Sequence, residues 1–182
     1  SMGAPHNKNR YGELWNQNRI DESLKILHLL KEYIVLSGGW AWHFMSIPNH
    51  IEYKHAHDHK DIDIFVHPKN VAKVMEVLLE NSFEKVWTRY DHLYSAENFR
   101  RYEKVIAITN EKAFRITIDF FERADLQTEI CNGFTVVSPE MLLRFYSNIH
   151  SSDKCWAVIK AKEFLEKGIN PIGRKELSEM PK

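Results

Sequence analysis

The sequence predicts an α+β fold, in which a mixed sheet of about five strands has helices packed on one side and ends in a short C-terminal helical segment. Short stretches of alternating polar and apolar residues, typical of strands with one buried face, indicate the sheet. Amphipathic stretches with helical spacing indicate the helices. With 182 residues, no internal repeat and no long linker, the chain has the size of one domain with a substantial core.

The first elements are predicted to be a helix, a short strand and a second helix. Apolar residues recur at helical spacing across residues 20–32. The apolar, β-branched run 33–36 predicts a strand that leads into the turn Ser37-Gly38-Gly39. A second helix is expected over residues 40–45, and its end is set by the nearby Pro48.

A second strand is predicted over residues 61–66, after a polar, histidine-rich loop at 49–60. Asp61 and Asp63 share one face of this strand, because side chains alternate between the two faces. A helix is expected from Pro68 to about Asn81, since proline suits the first turn of a helix. Its predicted buried residues are Val71, Val74, Val77, Leu78 and Leu79.

Further strands are predicted at 83–94, 102–108 and 113–121, and Asp119 shares one face of the last of these with Arg115 and Thr117. Asn132-Gly133 predicts a hairpin turn between strands at 126–131 and 134–137. Ser138 and Pro139 are suited to the start of a helix. Helices are expected at about 139–149 and 152–167, so residues 1–137 form the core and 138–182 a helical segment of the same domain.

The composition excludes several classes of protein. Lys+Arg and Asp+Glu both number 25, so the formal net charge is zero, whereas a protein that binds nucleic acid over its whole surface is usually strongly basic. Cys131 and Cys155 form no metal-ligand pattern, and we expect two reduced thiols in a cytoplasmic protein. No apolar run is long enough to span a bilayer, and the polar N-terminus lacks the apolar core of a signal peptide, so no membrane partner is expected.

Two patterns carry the chemistry. A glycine turn at a helix N-terminus lets backbone N–H groups approach phosphate oxygens, and the hydroxyl of Ser37 can donate a further hydrogen bond. Asp61 and Asp63 project from one strand face, where their oxygens are suited to Mg²⁺ or Mn²⁺ that also binds substrate phosphates. Each pattern alone is weak, but their order and separation along the chain make the pair informative.

The string Ser37-Gly38-Gly39-Trp40-Ala41, followed by His57-Asp58-His59-Lys60-Asp61-Ile62-Asp63, resembles the DNA polymerase β-like nucleotidyltransferase superfamily. It is most similar to the branch that contains lincosamide and aminoglycoside adenylyltransferases. His57 stands where that branch usually has arginine. Residues 116–120 resemble the strand of the third family carboxylate, residues 138–142 the start of its helical part, and Ser152-Asp153-Lys154 a later segment in altered order.

The resemblance implies a nucleotidyltransferase-type sheet and an enzyme that transfers a nucleoside monophosphate from a nucleoside triphosphate to an acceptor hydroxyl, with release of pyrophosphate. Asp61 and Asp63 would bind the metal, and Asp119 would be either a third ligand or the general base. Ser37 and Gly38 would hold the β- and γ-phosphates, with Gly39 in the same turn. From its place directly after that turn, Trp40 is expected to stack on a base, and His59 is expected to orient the metal strand or to touch phosphate.

The acceptor is left open. A small molecule, such as an antibiotic, is favoured over an RNA 3′ end and over a protein hydroxyl. A non-catalytic nucleotide-binding protein of the toxin–antitoxin type is the alternative from another class. The histidines at 50, 55, 57 and 59 do not favour a structural zinc site, because no cysteine is near them. Basic residues across the middle strands are interpreted as a solvated sheet face or as a patch for triphosphate or nucleic-acid backbone: Arg89, Arg100, Arg101, Lys104, Lys112 and Arg115.

Overall fold

The structure is a computed structural model, and it describes residues 17–45, 61–88 and 99–147 together with Glu166. The helices in this part of the chain are α1 (Gln17–Leu30), α2 (Gly38–Met45), α3 (Val71–Glu80, after a 3-10 turn at Pro68–Asn70) and α4 (Pro139–Ser147). The strands are β1 (Val35–Ser37), β2 (Asp61–Val66), β3 (Glu84–Val86), β4 (Arg100–Thr109), β5 (Lys112–Glu122), β6 (Thr128–Cys131) and β7 (Phe134–Val137). The predicted loop 49–60 and helix 152–167 lie outside the described residues, except for the helical Glu166.

All the described strands join one mixed sheet, in the order β3-β4-β5-β2-β1-β7-β6. The pairs β2–β5 and β1–β7 are parallel, and the others are antiparallel. The α+β fold with a mixed sheet is therefore confirmed, with seven strands in place of about five. Each of the seven strands overlaps a strand segment that the sequence predicts, and the outermost strands β3 and β6, only three and four residues long, belong to the same sheet as the others.

The two faces of the sheet differ along β2 and β5: one face is apolar, and the other, called the polar face below, carries the aspartates and ends in Phe65 and Phe121, whose rings pack on each other. The apolar face carries Ile62, Ile64, Ile116, Ile118 and Phe120, each exposed by 2% or less. Helix α1 contacts β5 and α3 on this side, and its Leu27 and Leu30 are fully buried. The predicted alternation in β2 and β5 is confirmed, and it leaves the aspartates of both strands on the opposite face.

Helix α3 corrects one predicted core position. Val74, Val77 and Leu78 are buried as expected, but Leu79 is 59% exposed. Successive residues of a helix are rotated by about 100°, so Leu79 lies well away from the direction that Val74 and Leu78 share. Val71, in the first turn, is half-buried.

The strand predicted over residues 83–94 is much shorter. Only Glu84–Val86 forms β3, and Trp87 is 74% exposed. β3 pairs with Arg101–Glu103, and β4 begins at Arg100, so a longer β3 would have little strand left to pair with. The end of the predicted strand, 89–94, lies outside the described residues.

Two local predictions are confirmed, a hairpin turn and a helix cap. Asn132 and Gly133 both adopt positive φ, 52° and 82°, as a two-residue turn between β6 and β7 requires. Ser138 caps α4, and its Oγ accepts a hydrogen bond from the backbone N–H of Met141 at 3.3 Å. None of the described helices is long and apolar enough to cross a membrane.

Candidate functional site

Strand register places the main candidate residues in one row across the polar face. Ser37 is opposite Asp63 in the β1–β2 pair, and Asp63 is opposite Asp119 in the parallel β2–β5 pair. Asp119 is in turn opposite Arg101 in the β5–β4 pair. Residues opposite each other on paired strands share a face, so each of these four side chains is a neighbour of the next. Ser37 and Asp119 belong to this row although more than 80 residues separate them along the chain. We call Ser37, Asp63, Asp119 and Arg101 the polar row.

The glycine turn at the end of β1 lies against Asp63. Gly38 adopts φ of 60°, and a Cβ atom built on it would overlap Oδ2 of Asp63. Gly38 is therefore required both for its backbone conformation and for its missing side chain. Since α2 begins at Gly38, the turn places a helix N-terminus beside the carboxylate of Asp63.

Asp119 is held by Arg101. Arg101 Nε donates to Oδ1 at 2.7 Å and Nη2 donates to Oδ2 at 3.1 Å, which makes the ion pair bidentate. The Asp119 side chain is 11% exposed and the Arg101 side chain 34%. Sequence reasoning missed the role of Arg101, although its place opposite Asp119 follows once the β4–β5 hairpin is known.

A second row lies beside the first. Asp61 is opposite Thr117, and Thr117 is opposite Glu103. Thr117 Oγ1 donates to Glu103 Oε2 at 3.0 Å. The polar face therefore presents an acidic surface with Arg101 among the carboxylates.

The charges of this face act on each other. Burial raises the pKa of Asp119; the hydrogen bonds and charge of Arg101 oppose this shift, and Asp61 and Glu103 add to it. The same hydrogen bonds raise the pKa of the Arg101 guanidinium, with further contributions from Asp61 and Glu103. Arg101 is therefore charged at any working pH and is surrounded by more than one carboxylate.

Trp40 and His59 are the two residues predicted to contact the nucleotide beyond the glycine turn. Trp40 is 0% exposed and packs against the rings of His43 and Phe44, with centroids 4.8 Å and 6.3 Å away. The expectation that Trp40 stacks on a base is therefore wrong for this conformation, because α2 turns it into the core. His59 lies outside the described residues.

The basic residues of the middle strands do not form one patch. Arg100 Nη1 contacts Glu122 Oε2 at 3.3 Å, and Lys104 contacts Glu22 of α1 at 3.7 Å. Arg100 and Lys104 alternate with Arg101, so they lie on the other face of β4. The interpretation as a single patch for nucleic-acid backbone is not supported by these described residues, while Arg89 lies outside them.

Part of the site is suited to a divalent cation. Asp61 and Asp63 offer oxygen ligands on one face of β2, and the missing side chain of Gly38 lets the Asp63 carboxylate lie against the glycine turn. Within ranges 17–45, 61–88 and 99–147, however, no group of three or more His, Cys, Asp or Glu is arranged to hold one ion. Both oxygens of Asp119 accept hydrogen bonds from Arg101. The donor set thus fits a metal at Asp61 and Asp63, and this conformation does not add Asp119 to it.

Comparisons with known proteins found a distant structural similarity. No protein-family model matches the chain, and the comparison with curated proteins found no match. The solved structure of JHP933 from Helicobacter pylori is similar at 15% sequence identity and a TM-score of 0.49, over 74% of this chain and 57% of that one. The chain therefore spans little more than half the length of JHP933. Similarity at this level carries no argument about chemistry.

Proposed function

We propose that this protein is a metal-dependent nucleotidyltransferase, which transfers a nucleoside monophosphate from a nucleoside triphosphate to an acceptor hydroxyl and releases pyrophosphate. The observation that carries the proposal is the register that aligns Ser37, Asp63 and Asp119 on three adjacent strands. This register puts a glycine turn, a helix N-terminus and a pair of carboxylates at one place on the sheet.

The turn is suited to the triphosphate. The first N–H groups of a helix lack partners within the helix, and they favour an anion at its N-terminus. Gly38 and Gly39 allow phosphate oxygens to approach the backbone, and the Ser37 hydroxyl, at the end of β1, can donate a further hydrogen bond. Ser37 is 8% exposed, so only a ligand seated in the turn would reach it.

Asp61 and Asp63 are the proposed ligands of Mg²⁺ or Mn²⁺. When bound, such an ion stabilises the charge on the attacking and leaving oxygens of phosphoryl transfer. The two carboxylates would hold that ion, which would supply positive charge beside the phosphates. Asp119 is proposed to act on the acceptor hydroxyl as general base or to complete the ligand set.

A small molecule is the first proposed acceptor, and an RNA 3′ end the second. The small-molecule proposal is supported by the pairing of Arg100 and Lys104 within the protein, since these cations do not build a continuous track for a phosphate backbone. A second candidate function is nucleotide binding without catalysis. The Arg101–Asp119 ion pair favours it, because both oxygens of Asp119 accept hydrogen bonds from Arg101, whereas a general base needs an oxygen within reach of the acceptor hydroxyl.

Pyrophosphate release tests the proposal. The protein is incubated with Mg²⁺ or Mn²⁺, each of the four common nucleoside triphosphates, and a panel of aminoglycosides, lincosamides, short RNAs and proteins. We expect release with at least one combination, and a loss of about a thousandfold or more in Asp63→Asn, because several kcal/mol of barrier lowering depend on the metal.

Asp125→Asn is the matched control. Asp125 is also an aspartate near the end of the sheet, but its side chain is 85% exposed and pairs only with Arg123 among its salt-bridge partners in the described residues. Its rate should equal that of the unmodified protein. Triphosphate binding without pyrophosphate release, whichever acceptor is present, would favour the non-catalytic function, and the absence of both binding and release would reject the proposal.

A further inference from the structure

Arg101 is fixed in the polar row by several contacts at once. It donates two hydrogen bonds to Asp119, and its guanidinium carbon lies 5.8 Å from the centroid of the Phe99 ring. The charges of Asp61 and Glu103 also act on it. A guanidinium with this many contacts is part of the site and not a mobile surface cation.

Separating the pair would be costly. Asp119 lies on a strand in the middle of the sheet, and the side chain is 11% exposed. Moving Arg101 away would leave the nearly buried Asp119 carboxylate without its charged partner, which is destabilising. We therefore expect Arg101 to remain on Asp119 when ligands bind.

The formal charges of the polar row and of the second row beside it indicate a role for the Arg101–Asp119 ion pair. Asp61, Asp63, Asp119 and Glu103 carry four formal negative charges, and Arg101 cancels that of Asp119. Glu103 lies two strands away from β2 and accepts a hydrogen bond from Thr117, so Asp61 and Asp63 are the two carboxylates that share a strand, and one divalent cation balances their charge. No three metal-binding side chains of the described segments are grouped around one ion, which agrees with a site that has two protein carboxylates for its metal.

We propose that Arg101 takes the place of a second cation, so that the site binds a single divalent ion through Asp61 and Asp63, while Asp119 positions Arg101 and is not a metal ligand. This inference rests on the proposed function and specifies its metal site, which would hold one ion with two protein carboxylates. A guanidinium has five N–H donors, and Asp119 uses two of them, so others are suited to the triphosphate oxygens.

The test is the number of Mn²⁺ ions bound per chain, measured by electron paramagnetic resonance after equilibrium dialysis. The probes are Mn²⁺ with the α,β-methylene analogues of the four nucleoside triphosphates, whose α–β bridge cannot be cleaved. We expect a single protein-bound ion in the unmodified protein. In Arg101→Gln the Asp119 carboxylate is released, and a second ion should bind.

Arg100→Gln is the control for the loss of an arginine from β4. Arg100 also pairs with a carboxylate of β5, Glu122, but on the other face of the sheet. This variant should still bind a single ion. A second ion in Arg100→Gln would show that the charge of the molecule, and not the place of Arg101, sets the number of ions.

The double variant Arg101→Gln/Asp119→Asn keeps the net charge and replaces the ion pair by two amides that can bond each other. If Asp119 is not a ligand, its affinity for Mn²⁺ alone, measured without a nucleotide analogue so that the loss of an Arg101–phosphate contact plays no part, should stay near that of the unmodified protein, whereas Asp63→Asn should lose at least about tenfold. The inference is wrong if the unmodified protein binds two ions, or if the double variant loses affinity as Asp63→Asn does. Two ions would leave the proposed function standing, and no bound ion with any analogue would reject both.

Discussion

Gly38 and Asp63 show how closely single residues of this site depend on each other. The carboxylate of Asp63 occupies the space that a side chain at position 38 would need. Gly38 also has φ of 60°, a conformation that costs other L-residues about 1–2 kcal/mol. The turn is therefore a place where backbone conformation and a functional carboxylate constrain the same residue.

Gly38→Ala should lower both the free energy of unfolding and the affinity for Mn²⁺. The added methyl group must push Asp63 Oδ2 aside, so the loss of affinity should accompany about 1–2 kcal/mol of destabilisation from the backbone. Urea unfolding and Mn²⁺ titration measure the two effects separately.

Gly133→Ala is the control for the backbone. Gly133 has φ of 82°, and a Cβ there would meet only Nζ and Cε at the end of the flexible Lys31 side chain. This variant should be destabilised too but should bind Mn²⁺ normally. Equal Mn²⁺ affinity in both variants would mean that Gly38 does not set the position of Asp63.

Helix α3 illustrates how an element divides neighbouring, identical residues between core and solvent. Leu78 is fully buried and Leu79 is 59% exposed. The sequence places both in one apolar run, and only the direction of the helix against α1 and the sheet separates them. The next residue that faces the core is Phe83, which is buried just before β3.

Leu78→Ala should cost about 2–5 kcal/mol of stability, because it removes a fully buried side chain and leaves a cavity. Leu79→Ala should change the free energy of unfolding by less than about 0.5 kcal/mol, as surface substitutions usually do. Chemical denaturation of the two variants measures both changes in the free energy of unfolding. A large loss in Leu79→Ala would mean that this leucine is covered in solution.

The sequence was a good guide where an element follows from local chemistry. The alternation in β2 and β5, the Asn132-Gly133 turn and the Ser138 cap each depend on residues within a few positions, and each is found where expected. The register between distant strands cannot be obtained in this way. The Arg101–Asp119 pair and the burial of Trp40 arise from tertiary packing, and so they were missed.

Over the whole molecule the formal charges cancel, with 25 basic and 25 acidic residues. Bulk charge therefore gives little reason for stability to change near neutral pH, and individual buried groups dominate. His43 on α2 is such a group, since it is 8% exposed and burial lowers its pKa to about 4. It remains neutral in the folded protein at pH values where the unfolded chain would protonate it.

Stability should fall as the pH is lowered through the normal histidine pKa. The folded state binds fewer protons than the unfolded state between pH 6.5 and pH 4, so the contribution of His43 is complete above pH 6.5 and is lost towards pH 4. The loss from this residue should reach about 2 kcal/mol at pH 5.

Urea unfolding at several pH values between 7 and 5 measures this loss. His43→Gln, which cannot be protonated, should have a flatter profile, and His28→Gln, at an exposed position of α1, should keep the steep one. If His43→Gln and the unmodified protein have parallel profiles, the acid sensitivity comes from another group.

The alignment of the polar row also determines where the gene tolerates insertions and deletions. A single residue gained or lost in β5 between Thr117 and Asp119 would turn Asp119 to the apolar face and bring Ile118 or Phe120 to the polar face in its place. The irregularity between Val105 and Ala107 lies on the other side of Glu103, toward the hairpin tip, where the register already shifts without reaching Arg101. Changes in length should therefore accumulate at that tip over evolutionary time, while the segments that carry the row keep a fixed length.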